Sequence, residues 1–288
     1  MTGLPGQLAA LARTVAGELG EVSDRSWQRE GSAVWEIADP AGGCWFVKRH
    51  SSERFHQREV SAYRHWTAAL GPGRAPDLAA ADNQMLAILI SGLPGQIALN
   101  LRLAADDERE MHRQAGELLR RLHNAAPPLP GGPDLGRAVR RVDEHLSRAS
   151  VLLTSSEITL VRRCAAELPS LAPELPAVPT HGDAQLRNWL WNRATRQLAM
   201  IDFERAETGP AVRDLVRLEY GPWDRRLDLR ASFLDGYGRA LTHAEEQALP
   251  RLAALDALSG LQWGTANGDR EVADRARKTF ARLRVRSP

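Results

Sequence analysis

The stretch from Thr180 to Glu204 decides the fold, and it reads T-H-G-D-A-Q-L-R-N-W-L-W-N-R-A-T-R-Q-L-A-M-I-D-F-E. The pattern predicts a short loop, an apolar strand, a polar turn over residues 192–196 and a second apolar strand. A hairpin of this kind brings its two ends together, so Asp183 and Asn188 are predicted to lie near Asp202. Two carboxylates and a carboxamide suit Mg²⁺, a hard ion that prefers oxygen ligands. They also suit a base that takes a proton from a hydroxyl group beside that metal.

Two motifs in this stretch have a definite order and spacing. They are H-G-D-x-x-x-x-N over residues 181–188 and I-D-F-E over residues 201–204. An isolated H-G-D is most often a local turn, so the combination is what indicates catalysis. The combination resembles the catalytic core of the aminoglycoside phosphotransferase family, which is similar to protein kinases with H-R-D-x-x-x-x-N and D-F-G. Gly182 in place of the kinase Arg, and Glu204 in place of the D-F-G glycine, both resemble the antibiotic-kinase branch.

The resemblance implies a role for each polar residue of the core. Asp183 would accept or orient the proton of an acceptor hydroxyl, while Asn188 and Asp202 would hold Mg²⁺. The implied reaction moves the γ-phosphate of ATP or GTP to a hydroxyl group of a small molecule. It relies on positioning and charge neutralisation, without a covalent enzyme intermediate.

The nucleotide phosphates are expected to bind near the N-terminal strands. Lys48 ends the strand W-F-V-K, and the resemblance implies that its ammonium grips the phosphates. Its implied partner is Glu59 in the next helix, with Glu53 as the alternative. A polar loop over residues 23–32, which ends at Ser32, would lie over the phosphates, because backbone N–H groups of such a loop can bind oxyanions.

An apolar strand over residues 85–90 leads into the Gly/Pro-rich sequence S-G-L-P-G. The resemblance implies that this is the last strand of the small lobe, followed by the hinge. Backbone groups of Leu89, Ile90 and Ser91 are the implied contacts of the purine edge.

The change in composition at this break predicts two lobes. Residues 1–91 are predicted to form the nucleotide-binding lobe, and residues 92–288 a helical lobe with the catalytic loop and the acceptor site. The predicted fold class is α+β, a protein-kinase-like two-lobed fold with a small N-terminal sheet lobe and a larger helical C-terminal lobe.

The acceptor is predicted from the acidic and aromatic residues near the end of the core. Glu204, Glu207, Trp223 and Asp224 are the candidate acceptor-binding residues, since carboxylates pair with ammonium groups and an indole stacks on a cation. The resemblance implies an aminoglycoside, or a cyclic peptide antibiotic such as capreomycin or viomycin. Macrolides and metabolites such as choline or homoserine are alternatives. A pseudokinase that binds nucleotide and regulates a partner is another class, which the complete Lys, Asp, Asn and Asp set argues against.

The composition excludes several other classes. The 288 residues are 43% hydrophobic and 26% charged, as in an ordinary globular protein. A net charge of +2 argues against a nucleic-acid partner. The sequence has no apolar run of roughly eighteen residues and no export signal, so we expect a cytoplasmic monomer or weak dimer without a membrane partner. Cys44 and Cys164 are far apart and are predicted to be small buried residues, not a disulfide or a zinc site.

Overall fold

The computed structural model describes residues 3–26, 32–40 and 42–286 of the chain. Residues 27–31, which belong to the loop predicted over the phosphates, and residue 41 lie outside the described residues. The strands are β1 (Val22–Asp24), β2 (Ala33–Ala38), β3 (Cys44–Arg49), β4 (Leu78–Asp82), β5 (Ala87–Ser91), β6 (Gln96–Ile97), β7 (Ala177–Thr180), β8 (Trp189–Asn192), β9 (Gln197–Met200) and β10 (Glu207–Pro210). The α-helices are α1 (Gly6–Ala16), α2 (Glu53–His65), α3 (Ala105–His123), α4 (Gly136–Arg140), α5 (Val142–Ala149), α6 (Ser155–Leu171), α7 (Val216–Glu219), α8 (Leu227–Tyr237), α9 (His243–Ala266) and α10 (Arg270–Arg286).

The N-terminal strands form one antiparallel sheet in the order β1-β2-β3-β5-β4. Successive side chains of a strand point to opposite faces, so Trp35, Ile37 and Val47 are buried on the same face. Leu8 and Ala12 of α1 pack against them and close a hydrophobic core. The sheet therefore gives β3 and β5 fixed neighbours, and β3 carries Lys48 near its end.

The catalytic stretch forms the predicted hairpin. Strands β8 and β9 pair antiparallel, with Trp189 opposite Met200 and Asn192 opposite Gln197. Trp189 and Trp191 are fully buried, whereas Leu190 between them is half-buried, because successive side chains of a strand point to opposite faces. The hairpin consequently places the residue after Met200 beside the residue before Trp189.

The chain divides into two units by its internal packing. One unit contains Met1–Asp107 and His181–Glu207, and the other contains Glu108–Thr180 and Thr208–Pro288. The predicted boundary after residue 91 is therefore not where the units divide. Strand β6 pairs with β8, and Met200 N–H donates to the Arg74 carbonyl at 2.8 Å. These bonds hold the catalytic stretch in the same unit as the N-terminal sheet.

The second unit is mainly helical. Thr154 and Thr242 begin α6 and α9 with capping boxes, in which each threonine and the glutamate three residues later satisfy each other's backbone N–H groups. Helices α3 and α8 approach closely at Gly116, where a Cβ atom would lie 2.0 Å from the Phe233 carbonyl oxygen. His123 at the end of α3 is buried.

Two expectations from composition have different outcomes. Among the described residues, no helix combines the length and the hydropathy that crossing a membrane would require. Both cysteines are unpaired; Cys164 is buried as predicted, but Cys44 is exposed. The prediction for Cys44 is wrong because this residue begins β3 at the turn of a hairpin, where its thiol faces Glu36 at 3.5 Å.

Candidate active site

The ammonium of Lys48 is bonded to three carboxylates. Its Nζ lies 2.8 Å from Glu59 Oε2, 2.5 Å from Asp202 Oδ1 and 3.0 Å from Glu204 Oε2. The side chains of Lys48 and Glu59 are 8% and 1% exposed, whereas that of Asp202 is 30% exposed. The structure thus brings the predicted Lys–Glu pair against the I-D-F-E motif. Lys48, Glu59, Asp202 and Glu204, here called the Lys48 cluster, combine one ammonium with three carboxylates.

These contacts shift the protonation equilibria of the cluster. Burial alone would lower the pKa of Lys48, but the charges of Asp202, Glu59 and Glu204 outweigh it and hold this pKa well above its usual range. Burial would raise the pKa of Glu59 and of Asp202, but the charge of Lys48 outweighs it and lowers both. Lys48, Glu59 and Asp202 are therefore all charged at neutral pH.

Glu59 occupies the buried face of α2, a helix that begins at Ser52, whose side chain caps the Phe55 N–H. Besides Lys48, its carboxylate accepts a hydrogen bond from the backbone N–H of Phe203 at 3.2 Å. Glu53, the alternative partner of Lys48, is exposed and accepts a hydrogen bond from Gln57 at 2.7 Å. Of Glu59 and Glu53, it is Glu59 that connects β3, α2 and the I-D-F-E motif.

His50 is a site residue that the sequence analysis missed. Its Nε2 lies 2.6 Å from Glu59 Oε2 and its Nδ1 lies 3.1 Å from the Leu86 carbonyl oxygen. Both partners are acceptors, so both contacts are complete when each ring nitrogen carries a hydrogen. His50 therefore fixes the carboxylate that fixes Lys48. No spacing rule connects a histidine two residues after the lysine with this role.

The catalytic loop needs glycine at position 182. Gly182 has φ of +74°, and a Cβ atom there would lie 2.2 Å from the Arg205 carbonyl oxygen. The adjacent His181 packs its ring on that of Phe203, with centroids 4.6 Å apart, and its Nε2 lies 3.1 Å from the Ile201 carbonyl oxygen. The loop thus runs directly against the I-D-F-E segment, and the Arg205 carbonyl leaves no room for a side chain at position 182.

Asp183 is buried and its carboxylate is held by several donors. Gln185 Nε2 donates to Oδ1 at 2.5 Å, and Arg187 Nη2 donates to Oδ2 at 2.7 Å. Asn188 Nδ2 donates to the Asp183 carbonyl at 2.9 Å and to Oδ2 at 3.1 Å. The carboxylate is consequently fixed in orientation. The sequence did not point to Gln185 and Arg187 as partners of Asp183, although both lie inside the H-G-D-x-x-x-x-N motif.

Asn188 and Asp202 offer oxygen atoms of the kind that Mg²⁺ prefers. The Asn188 amide nitrogen faces Asp183, which leaves its Oδ1 with no hydrogen bond from any residue that the structure describes. The backbone N–H of Ile201 donates to the Asn188 carbonyl at 3.0 Å, so Asp202 follows directly beside Asn188. Asp202 has φ of +69°, a left-handed conformation that is uncommon for non-glycine residues and is found at functional sites. These residues fit a bound Mg²⁺.

A second group of possible metal ligands consists of His50, Glu59 and Glu204. Their ligand atoms lie within 4.8 Å of one another. The ammonium of Lys48, however, bonds both glutamates of this group. The positive charge that these carboxylates require is therefore supplied by Lys48.

Of the other predicted nucleotide contacts, Ser32 lies at the Lys48 cluster, whereas Leu89, Ile90 and Ser91 belong to strand β5. Ser32 Oγ donates to Glu204 Oε2 at 2.9 Å, which places the end of the polar loop at the Lys48 cluster. Leu89 and Ile90 lie in β5, which pairs with β3 on one side and β4 on the other. The N–H of Ser91 donates to the Asp77 carbonyl at 3.0 Å. Sheet neighbours take up backbone groups of this stretch, and the contact of Leu89, Ile90 and Ser91 with the purine edge stays a prediction.

The acceptor candidates Glu204 and Glu207 are both paired with basic residues. Glu204 forms an ion pair with Lys48 at 3.0 Å. Glu207 forms an ion pair with Arg58, and Arg54 Nη2 lies 3.8 Å from its Oε2. A cationic acceptor would have to compete with these side chains for either carboxylate.

The remaining candidates, Trp223 and Asp224, lie in the second unit. Trp223 is 1% exposed, its Nε1 donates to His112 Nδ1 at 3.2 Å, and its ring packs on Phe233 with centroids 4.9 Å apart. The indole belongs to the core of that unit, so the prediction that it stacks on an acceptor is wrong. Asp224 forms an ion pair with Arg282, in which its Oδ2 lies 3.0 Å from the Arg282 Nε.

Comparison with known proteins gives the same assignment as the site. A model described as the phosphotransferase enzyme family matches residues 25–255, and no curated protein sequence matches the chain. Three similar solved structures are a GDP and kanamycin complex of APH(2″)-IIIa, a streptomycin and ATP complex of APH(2″)-IIa, and macrolide 2′-phosphotransferase type I.

The likeness to these structures extends over almost all of each chain. The TM-scores are 0.71, 0.67 and 0.64, and the sequence identities are 15%, 14% and 16%. In each case 98% of this chain is covered, together with 99%, 97% and 99% of the other chain. At such low identity the likeness shows the fold, whereas the family match covers most of the sequence. The chain therefore belongs to the phosphotransferase enzyme family, and it is a phosphotransferase with a protein-kinase-like two-lobed α+β fold.

Proposed function

We propose that the protein is an antibiotic O-phosphotransferase, which moves the γ-phosphate of ATP or GTP to a hydroxyl group of an antibiotic and so confers resistance. The observation that carries the proposal is the bonded constellation of Lys48, Glu59, Asp183, Asn188 and Asp202. The similar structures support it, because they are complexes with GDP or ATP and with kanamycin or streptomycin.

Lys48 is the phosphate-binding group in this proposal. Glu59 keeps its ammonium charged and oriented, and His50 keeps Glu59 in place. Asp202 and Glu204, which share the ammonium in the structure, would give way to phosphate oxygens. Asn188 and Asp202 would hold Mg²⁺, which when bound neutralises charge on the phosphates.

Asp183 acts on the acceptor. The acceptor oxygen forms a bond to the γ-phosphorus while the bond to the β–γ bridging oxygen breaks, and that electron pair leaves on the nucleoside diphosphate. The hydroxyl proton passes to the Asp183 carboxylate, which Gln185 and Asn188 hold in a fixed orientation. Little covalent chemistry is required of the protein, so rate enhancement comes from placing these groups.

The proposal has two candidate acceptor classes, and different observations favour each of them. A cationic antibiotic, such as an aminoglycoside or a capreomycin-like or viomycin-like cyclic peptide, is the first candidate because of the family and the neighbouring complexes. The pairing of Glu207 with Arg58 and of Asp224 with Arg282 favours a less strongly charged acceptor as the second candidate. A macrolide, or a metabolite such as choline or homoserine, would be of that second class.

A panel of acceptors tests the proposal. ATP or GTP consumption is measured with kanamycin, viomycin, a macrolide, choline and homoserine, and each product is examined by mass spectrometry for one added phosphoryl group. The parent protein should phosphorylate one acceptor class, and the Asp183→Ala variant should not. Turnover with a cationic antibiotic should fall as salt rises, since exposed charge pairs are screened. Nucleotide binding without transfer to any acceptor would indicate a pseudokinase, and transfer to choline or homoserine alone would indicate a metabolite kinase.

A further inference from the structure

Arg187 lies between the catalytic loop and β8, in the short 3₁₀ turn Leu186–Asn188. Its Nη2 donates to Asp183 Oδ2 at 2.7 Å, and its side chain is only 18% exposed. A guanidinium is therefore held, largely out of solvent, against the carboxylate that the proposed function assigns to the acceptor hydroxyl.

This guanidinium uses few of its donors. An arginine has five N–H donors, and among the described residues Asp183 is the only partner that accepts from Arg187. Arg226 is more exposed, at 38%, and yet it donates to both oxygens of Asp228 and to Glu108. The guanidinium nitrogens of Arg187 are not among the fully enclosed polar atoms that lack a partner. Its remaining donors are therefore open to a ligand that accepts several hydrogen bonds.

Arg187 also lies next to the proposed metal-binding side of the site. Asn188, the residue after Arg187, accepts a hydrogen bond from the Ile201 N–H at 3.0 Å, and Asp202 follows Ile201. Arg187 therefore lies in the segment that joins Asp183 to the proposed metal ligands. Asp183 and Asp202 mark the acceptor and nucleotide sides of the proposed reaction, and the transferred group has to pass between them.

We propose that Arg187 is a catalytic residue that binds oxygens of the phosphoryl group while it is transferred. This inference rests on the proposed function. In phosphoryl transfer, charge is spread over three equatorial oxygens as the acceptor–phosphorus bond forms and the bond to the leaving diphosphate breaks. A planar guanidinium matches such oxygens with two parallel donors. Arg187 supplies this positive charge from within the same chain, beside the carboxylate that takes the proton.

The test uses a mimic of the transferred group and does not depend on the acceptor. Binding of MgADP, alone and with aluminium fluoride, is measured by calorimetry for the parent, Arg187→Gln and Arg187→Lys. Arg193→Gln is the matched control, because Arg193 is exposed in the turn of the same hairpin and donates to the Arg102 carbonyl. Arg187→Gln should bind MgADP like the parent but lose at least about tenfold in affinity for the aluminium fluoride complex, since an oxyanion donor is worth about 10²–10³ in kcat.

The variants separate a catalytic role from a structural one. Arg187→Lys keeps the charge without the planar fork, so it should recover part of the lost affinity. Arg187→Gln removes the ion-pair partner of the buried Asp183 and should melt below the parent, whereas Arg187→Lys and Arg193→Gln should melt near it. Unchanged MgADP affinity then shows that Arg187→Gln is folded at the assay temperature. Equal affinity of parent and Arg187→Gln for the aluminium fluoride complex would overturn the assignment, as would an equal loss for MgADP alone. A parent that binds no MgADP would instead overturn the proposed function itself, so the two failures are distinguishable.

Discussion

Replacement of Lys48 by methionine would remove the ammonium that three carboxylates share. Breaking a buried ion pair by removal of one partner costs about 3–5 kcal/mol, because the other charge stays buried without compensation. Glu59 is 1% exposed and bears the full effect, while Asp202 at 30% and Glu204 at 18% are partly solvated. His50 still contacts Glu59 after the replacement. We therefore expect a loss near the lower limit, about 3 kcal/mol in the free energy of unfolding at pH 7.

The pH dependence of this loss follows from the shifted carboxylates. Lys48 lowers the pKa of Glu59 and of Asp202 against the opposing effect of burial. A lowered pKa contributes stability above the unfolded-state pKa, and this contribution disappears as pH falls through the folded-state value. Lys48 has a raised pKa, so its own contribution is complete at neutral pH and is lost only in strong alkali. The difference in stability between parent and variant should accordingly be largest near neutral pH and narrow in acid.

Urea unfolding between about pH 2 and pH 8, a range that includes the acid window in which carboxylates with lowered pKa values take up protons, measures this difference. The control is Lys278→Met, because the chain has two lysines and Lys278 is exposed on α10. The control should stay within about 0.5 kcal/mol of the parent. A loss below about 1 kcal/mol for Lys48→Met, the value of an exposed pair, would refute the reasoning. A difference that fails to narrow in acid would also refute it.

Three further predictions concern the loop and the metal ligands. Asp183→Ala should leave nucleotide affinity nearly unchanged and lower kcat by about 10²–10⁴, the usual worth of a proton-transfer group; near-normal single-turnover rates at saturating nucleotide would exclude Asp183 as the base. Asp202→Asn should weaken Mg²⁺-dependent nucleotide binding by at least about tenfold, and calorimetry with the same Mg²⁺ dependence in both proteins would contradict a metal role. Gly182→Ala should lose activity and be less stable than Gly238→Ala, a control with φ of +77° and open space around its Cβ position. The control should lose only about 1–2 kcal/mol, the cost of the left-handed conformation, and thermal melts with equal losses for both variants would show that the contact at Arg205 is unimportant.

The hairpin and its motif could be predicted because their signals are local. The apolar strand W-L-W, the polar turn after it and the second apolar run predict the hairpin. The pairing of Trp189 with Met200 confirms it. That register places Asn188 beside Ile201 and Asp202, so the closeness of the two proposed metal ligands follows from the spacing alone. The motif marks Gly182, but it does not show why glycine is required there. The reason is the Arg205 carbonyl oxygen, which would lie 2.2 Å from a Cβ atom and belongs to a residue outside the motif.

Other features depend on contacts that the local sequence does not encode. The apolar run that contains Leu89 would look the same at the edge of a sheet, and only the structure shows that it pairs with both β3 and β4. Trp223 stands among acidic residues in the sequence, yet it packs on Phe233 in the core. His50 meets Glu59 because a strand and a helix converge. In each case the partner that decides the role comes from another element.

The charge of the Lys48 cluster links nucleotide binding to a divalent cation. Glu59, Asp202 and Glu204 carry three negative charges against the single ammonium of Lys48, and the atoms lie within 3.0 Å of one another across these pairs. Nucleotide phosphates would bring further negative charge to the same place, where repulsion is poorly screened because the lysine is nearly buried. The single positive charge of Lys48 cannot neutralise both the three carboxylates and the nucleotide phosphates. Mg²⁺ held by Asn188 and Asp202 would release Lys48 from Asp202, so ATP should bind far more weakly in EDTA than with Mg²⁺, and the difference should shrink in Asp202→Asn.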